Sequence, residues 1–404
     1  MLLFFCFTII KMHSSVSSFF NRSVLLLIVI FSTINLHAQI TFSDSLRISL
    51  LTASPGVGAY ERFGHTAFRI QDLSDGKDIV FHYGVYNYNE PNFIMHFVQG
   101  ICNYKIGANY SESFIADYRH RRIRLIEQEL NFNKNQKSRL VDALIENYRP
   151  ENRDYRYNFF FDNCATRPFD MINQYAGPVV YDTLWVTDKT LRDMIQEKTM
   201  KGNWLDFGIS LAVAGRADQK TTFREQMFLP DYLSIALDNA SIDGLPLVNS
   251  THELTPYGND ISSALHDNGP WYLSPLAASC LFLILSLVVT LANFRSKKRT
   301  VVSRVFDSTW LLLTGLTGVI LWFLNFFSEH PSVNNNLNCL LFLPTNLLFI
   351  VIIWLKKAEK VCRIYFFIIF AAVLLYIIVH ATMTQYLNPA FIPIALAIII
   401  RCIK

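Results

Sequence analysis

The sequence predicts an α+β exported domain over residues 39–270, followed by an all-α transmembrane bundle of about five helices over residues 271–404. Three observations carry that expectation. The 404-residue chain is 51% hydrophobic and has a positive mean hydropathy, which soluble globular chains do not usually show. Its first residues read as a secretory signal. Beyond residue 270, apolar runs near the length of a bilayer alternate with short loops.

The signal peptide is expected at residues 1–38. Arg22 supplies a positive flank, "VLLLIVIFSTINL" an apolar stretch too short to span, and "LHAQ" a small-residue cleavage point after Ala38. Met12 is an alternative start, and an uncleaved anchor is the rival reading. No cysteine follows the cleavage point, so the chain is not expected to be a lipoprotein itself.

In the exported domain, "HTAFRI", "DIVFHYGVYNY", "NFIMHFVQG" and "NYKIGANY" alternate or run apolar as strands do. "NQKSRLVDALIENY" and "CATRPFDMINQYA" carry helical spacing. Further on, "NWLDFGISLAVAG" and "MFLPDYLSIAL" are apolar enough to lie against a membrane or its helices, or to be ordinary core helices.

The membrane part shows apolar runs at about 271–294, 308–327, 337–356, 364–380 and 387–400, the last shorter and containing Pro389 and Pro393. Basic residues assign the sides. "RSKKRTVVSR", "KKAEKVCR" and the terminal "RCIK" alternate with "SEHPSVNNN" and "ATMTQYLN", which contain no Lys or Arg. Positive residues stay inside, so residues 39–270 are expected in the periplasm of a bacterial inner membrane and the C-terminus in the cytoplasm. The net charge of +4 belongs mostly to these inner loops and implies no nucleic acid.

Of seven cysteines, Cys6 falls in the signal segment and Cys280, Cys339, Cys362 and Cys402 in or beside the apolar runs. Cys102 and Cys164 remain in the exported domain, where the compartment permits them to pair. No His or Cys stands near either at metal-ligand spacing, so neither metal nor cofactor is expected.

Cys164 stands in "YNFFFDNCATRPFD". Asp162 and Asn163 are good helix caps, and a cysteine in a first helical turn is expected to favour thiolate. Pro168 requires the helix to start at about 165–167 or to kink. A buried structural cysteine is the bland alternative. A nucleophile needs a base, and the domain offers His65, His82, His96, His120, His252 and His266. His65 follows Gly64 at a strand start, sharing a face with Ala67 and Arg69; Gly64 is expected to permit close approach of a substrate. His82 lies on the next strand, where antiparallel pairing would let it orient His65. His96, on another expected strand, is the decoy.

"GHTAFRI", "HYGVYNYNEPNF", "FVQGICNYKIG" and above all "YNFFFDNCATRP" resemble the Lnb N-terminal periplasmic domain family, and the likeness continues through the helical tail with "FFSEHPSVNNNLNCL". The order of two histidines and then Asn-Cys is also similar to permuted papain-like thiol enzymes of the lecithin:retinol acyltransferase type. The resemblance implies a permuted papain-like fold, Cys164 as nucleophile, His65 as base and His82 in the third catalytic position. It implies N-acylation of lipoproteins: an acyl chain passes from a phospholipid donor, through a Cys164 thioester, to the α-amine of a diacylglyceryl-lipoprotein acceptor. Asn163 is expected near the oxyanion, Arg167 to hold a phosphate or form a structural salt bridge, and the loop residue His330 to bind a head group or to be a solvated loop histidine. A papain-like cysteine peptidase or amidase acting on cell-wall peptides would use the same pair of residues, but needs at most one anchor. A non-catalytic assembly protein would have no use for the intact pair.

Overall fold

The computed structural model describes residues 40–58, 61–87, 89–183, 186, 188–256, 269–296 and 299–403. The expected signal peptide, Cys6 and His266 lie outside them. The exported part opens with three strands, β1 (Leu46–Ala53), β2 (His65–Asp72) and β3 (Asp78–Val85). Then come α1 (Phe93–Val98), β4 (Asn103–Tyr110), α2 (Ser111–His120), β5 (Leu125–Leu130), α3 (Lys134–Tyr148) and β6 (Asp154–Arg156). After these follow α4 (Thr166–Met171), β7 (Val179–Tyr181), α5 (Leu191–Thr199), α6 (Trp204–Ala212), α7 (Phe223–Gln226) and α8 (Pro230–Asp238). Three more strands follow, β8 (Ala240–Ile242), β9 (Leu245–Pro246) and β10 (Val248–Thr255).

The main sheet has seven strands in the order β10-β5-β1-β2-β3-β4-β6, and every pairing in it is antiparallel. β1 lies inside it between β5 and β2, and seven of its eight residues are buried. Arg69 ties the histidine strands in register: its guanidinium bonds Asp78 of β3 at 2.9 Å and Glu127 of β5 at 3.1 Å. α3 buries Leu140, Val141 and Leu144 at helical spacing and starts at a capping box between Asn133 and Gln136. α8 is an ordinary core helix, burying Leu233, Ala236 and Leu237.

One expected strand is a helix. "NFIMHFVQG" forms α1, with Asn92 at φ 61° before it and none of its six residues buried. A run of consecutive apolar residues does not distinguish strand from helix, and no sheet face covers this one. Gly100, at φ +76°, ends the segment against the backbone of Glu329 and His330.

Among the described residues, the membrane part contains three helices long and apolar enough to span: α9 (Pro275–Ser296), α10 (Val301–Phe327) and α13 (Glu359–His380). The third apolar run is not the span-length helix expected. It divides into α11 (Asn338–Leu341) and α12 (Asn346–Ile352), because Pro344 cannot donate to a helical ladder. The break packs on two glycines of α10: a Cβ on Gly318 would lie 2.7 Å from the Phe342 carbonyl, and one on Gly315 2.8 Å from Leu347. α14 (Phe391–Cys402) is also short. It ends in a buried ion pair, Arg401 with Asp307 of α10 at 2.9 and 3.0 Å.

α6 joins the two parts. Asn336 and Asn338 donate to the carbonyls of Leu211 and Ser210 at 2.7 and 3.0 Å, Trp204 donates to the Leu273 carbonyl at 2.8 Å, and Phe207 packs on Phe391. Of the two readings of "NWLDFGISLAVAG", the one against the membrane helices holds. Residues Ser43–Lys404 accordingly form one compact unit.

Candidate active site

The site forms where the start of β2 meets the turn before α4. The chain enters that turn through a bridge between Asn158 and Asp162, with the Asn158 side chain accepting from the amides of Phe160 and Phe161 at 3.1 and 3.0 Å. The three phenylalanines are packing residues: Phe159 meets Phe63 and Phe228, and Phe160 meets Phe228. Asn163 then fixes the turn. Its carbonyl oxygen accepts from the amides of Ala165 and Thr166 at 2.8 and 2.9 Å, while its amide donates to Phe159 and Phe228 carbonyls, both at 2.8 Å. Both amide protons are therefore committed to the backbone, and the side chain orders the cysteine turn instead of facing a substrate.

α4 begins at Thr166, so Pro168 falls in its first turn, where its missing N–H costs nothing. Cys164 lies just before the helix and is buried. The expected thiolate is not what its surroundings favour. Burial pushes the thiol up to about 11, against the lowering effect of the Thr66 amide and its own amide, which both point at the sulfur. A six-residue helix end cannot outweigh that loss of hydration. The Thr66 amide contact also sets the sulfur beside the residue that follows His65, and Gly84 of β3 closes the other side, its position for a Cβ 3.9 Å from that of Cys164.

Pairing of Ala67 with His82 makes His65 and His82 diagonal neighbours on one face of the sheet. Their rings meet edge to face, with Nε2 of His65 3.1 Å from Nδ1 of His82. Nε2 of His82 lies 2.9 Å from Oδ1 of Asn109. The tautomers follow from this chain. A carbonyl oxygen only accepts, so His82 carries its proton on Nε2 and accepts at Nδ1. His65 then donates from Nε2, and its Nδ1 is left as the free base. Burial, then His82, then the Arg121 cation lower the His65 pKa to about 3, and burial also lowers that of His82, partly offset by Asn109. The resting groups are a neutral thiol, held by the Thr66 amide, and two neutral imidazoles.

Asn109 is the member that pattern reading missed. Strand alternation places it on one face with Lys105 and Gly107, but only the β3–β4 register brings that face under His82. Gly107 makes the room: a Cβ there would sit 3.1 Å from Nε2 of His82. Gly64 has a different task from the one expected. It stands at φ +76°, and a Cβ would meet the Ala53 carbonyl at 2.5 Å, so the close approach is to the neighbouring strand.

The remaining expected residues sit elsewhere. Arg167 makes a two-pronged pair with Asp162 at 2.6 and 2.8 Å and lies 3.6 Å over the Tyr155 ring, so its guanidinium is engaged by its own turn. His330 is at the junction of the two parts, its Nε2 2.8 Å from the Phe97 carbonyl. His96, on α1 and not on a strand, faces Glu90 at 3.5 Å. Cys102 and Cys164 are both free thiols.

Two domain profiles match the chain in succession: the Lnb N-terminal periplasmic domain over residues 35–196 and the Lnb transmembrane domain over residues 267–404. No curated protein and no solved structure gives a significant match.

Proposed function

The chain belongs to the Lnb family, the lipoprotein N-acylation family of membrane proteins, and from that premise we propose that it is a thiol acyltransferase with Cys164 as nucleophile and His65 as base. Nδ1 of His65 takes the thiol proton as sulfur attacks an ester carbonyl of a phospholipid. The carbon–oxygen bond breaks, the proton passes to the leaving alkoxide, and a lysophospholipid departs from a Cys164 thioester. The α-amine of a lipoprotein's diacylglyceryl cysteine then attacks the thioester. A carbon–nitrogen bond forms, the carbon–sulfur bond breaks, and the amine proton returns the cysteine to its thiol by way of His65. A thioester is the better donor to an amine, which is the reason for two steps in place of one.

The observation that carries the reading is the chain of ring contacts and hydrogen bonds from Asn109 through His82 to His65, which leaves a base at the strand start that holds the Cys164 sulfur. His82 is an orienting member of that chain, and Asn163 shapes the turn of the nucleophile. The helical membrane part favours lipid substrates over cell-wall peptides, since both acyl donor and acceptor reside in the bilayer.

The test is hydroxylamine-sensitive transfer of a labelled acyl chain from phospholipid to the protein, followed by release on adding a lipopeptide amine. Cys164→Ala should abolish both steps while the protein remains folded in the membrane. N-acylation persisting in Cys164→Ala would sink the mechanism.

A further inference from the structure

We propose that α1 is an interfacial helix that dips into the periplasmic leaflet and presents the site to the acyl-donor lipid there; the donor half of this proposal rests on the thioester reading. Among the described residues of the exported part, Ile94 is 77% exposed, and Met95 and Phe97 on the same short helix are 53% and 51% exposed. The stretch 92–100 contains no Lys, Arg, Asp or Glu. Three large apolar side chains on one uncharged turn of surface are a liability in water and an anchor in a bilayer.

The position of α1 identifies its occupant. Its C-terminal end is held by the loop that leaves the span α10: the Glu329 amide donates to the Gln99 carbonyl at 2.8 Å, and Nε2 of His330 donates to the Phe97 carbonyl at 2.8 Å. Immediately before that loop, Phe326 and Phe327 end the span with both rings exposed. The apolar face of α1 is thus continuous with the lipid-facing surface of α10, at the depth where a span meets the head groups. Trp271 and Tyr272, exposed just before α9, mark the same level, where amphipathic rings gather. Behind α1, Phe93 stacks on Tyr86, Tyr86 meets Tyr104, and Tyr104 meets Tyr157 at 4.6 Å. Tyr157 lies against Gly84, the residue that also flanks Cys164. A row of rings therefore leads from the leaflet to the nucleophile. In this arrangement His330 is a positioning residue that sets the depth of α1.

The experiment uses the full chain in vesicles of phosphatidylethanolamine and phosphatidylglycerol. Benzoylphenylalanine is placed at residue 94 and, as control, at residue 73. Leu73 is comparably exposed at 58% but sits in the β2–β3 turn, beyond the end of the eight-residue β3 remote from α1, roughly 25 Å away. Irradiation should give a phospholipid adduct at 94 and none at 73. No adduct at 94, or an adduct to a second copy or to the N-terminal segment, overturns the proposal. A second arm compares Ile94→Asp/Met95→Asp with the unaltered protein. Thioester formation from vesicle phospholipid should fall about tenfold or more, while that from a short-chain monomeric donor stays unchanged. Equal loss with both donors overturns the delivery role. If the unaltered protein forms no thioester from either donor, the Cys164 reading fails and the delivery role with it, while an adduct at 94 would still establish the membrane contact.

Discussion

In the proposed mechanism, three side chains and one amide set the chemistry at the residue scale, and their charge states lead to a pH prediction. His65 is held neutral down to about pH 3 by burial, His82 and Arg121. Thioester formation should therefore show no loss of rate near 6.5, the ordinary histidine value, as pH falls from 8 to 5. The same shift weakens the fold in acid. Unfolded His65 takes up a proton below about 6.5 and folded His65 does not, so this contribution is complete above 6.5 and is lost as pH falls toward 3. Alkylation of Cys164 should in turn accelerate up to about pH 11, where burial has moved its thiol; a midpoint near 8 or below would contradict a buried neutral thiol. Asn109 offers a separate check. Asn109→Leu removes the acceptor that selects the tautomers, and thioester formation should drop on the order of ten- to a hundredfold. His65→Ala should cost about a hundred- to ten-thousandfold, as loss of a general base does. His82→Asn should be milder than either, because an amide can still accept from His65. Asn109→Leu activity equal to the parent would remove the relay.

At the scale of elements, the site depends on strands brought close without side chains between them. Gly107 lies under the His82 ring, where a Cβ would come within 3.1 Å of Nε2 and within 2.8 Å of the Val85 side chain. Gly107→Ala should displace the ring and reduce thioester formation about tenfold or more, with a modest loss of stability, about 1–3 kcal/mol as for overpacking. The paired measurement is a melting curve beside the acylation rate: a rate that falls while the fold persists assigns the effect to His82. The histidine strands and the capped helix were legible in sequence because alternation, Asx caps and proline positions are local signals. α1 was not legible, since five apolar residues in six suit either a strand or a helix until a sheet accepts or refuses them.

The whole molecule joins a sheet domain to membrane helices through polar side chains that grip backbone carbonyls, Asn336 and Asn338 on α6. The charge bias predicts the exported domain and residues 328–336 outside, and residues 295–304 and the C-terminus inside. Reporter fusions after Asn335 and Arg299 should report opposite sides, the first periplasmic and the second cytoplasmic. Cytoplasmic activity at both would refute the arrangement.

Composition, hydropathy and charge bias were sufficient by themselves for the division into an exported part and a membrane part, because transfer into a bilayer is a property of segments and needs no partner. The local run around Cys164 carried the family resemblance for the same reason. Tertiary structure alone decided the rest. That Asn109 lies beside His82 depends on strand register; whether Cys164 is thiol or thiolate depends on how much water the packed chain excludes. Arg167 found Asp162 within its own turn, Asn163 reached the Phe228 carbonyl as well as its own turn, and His330 found Phe97 across more than two hundred residues. Such pairings are set by distance in space, which no spacing along the chain encodes.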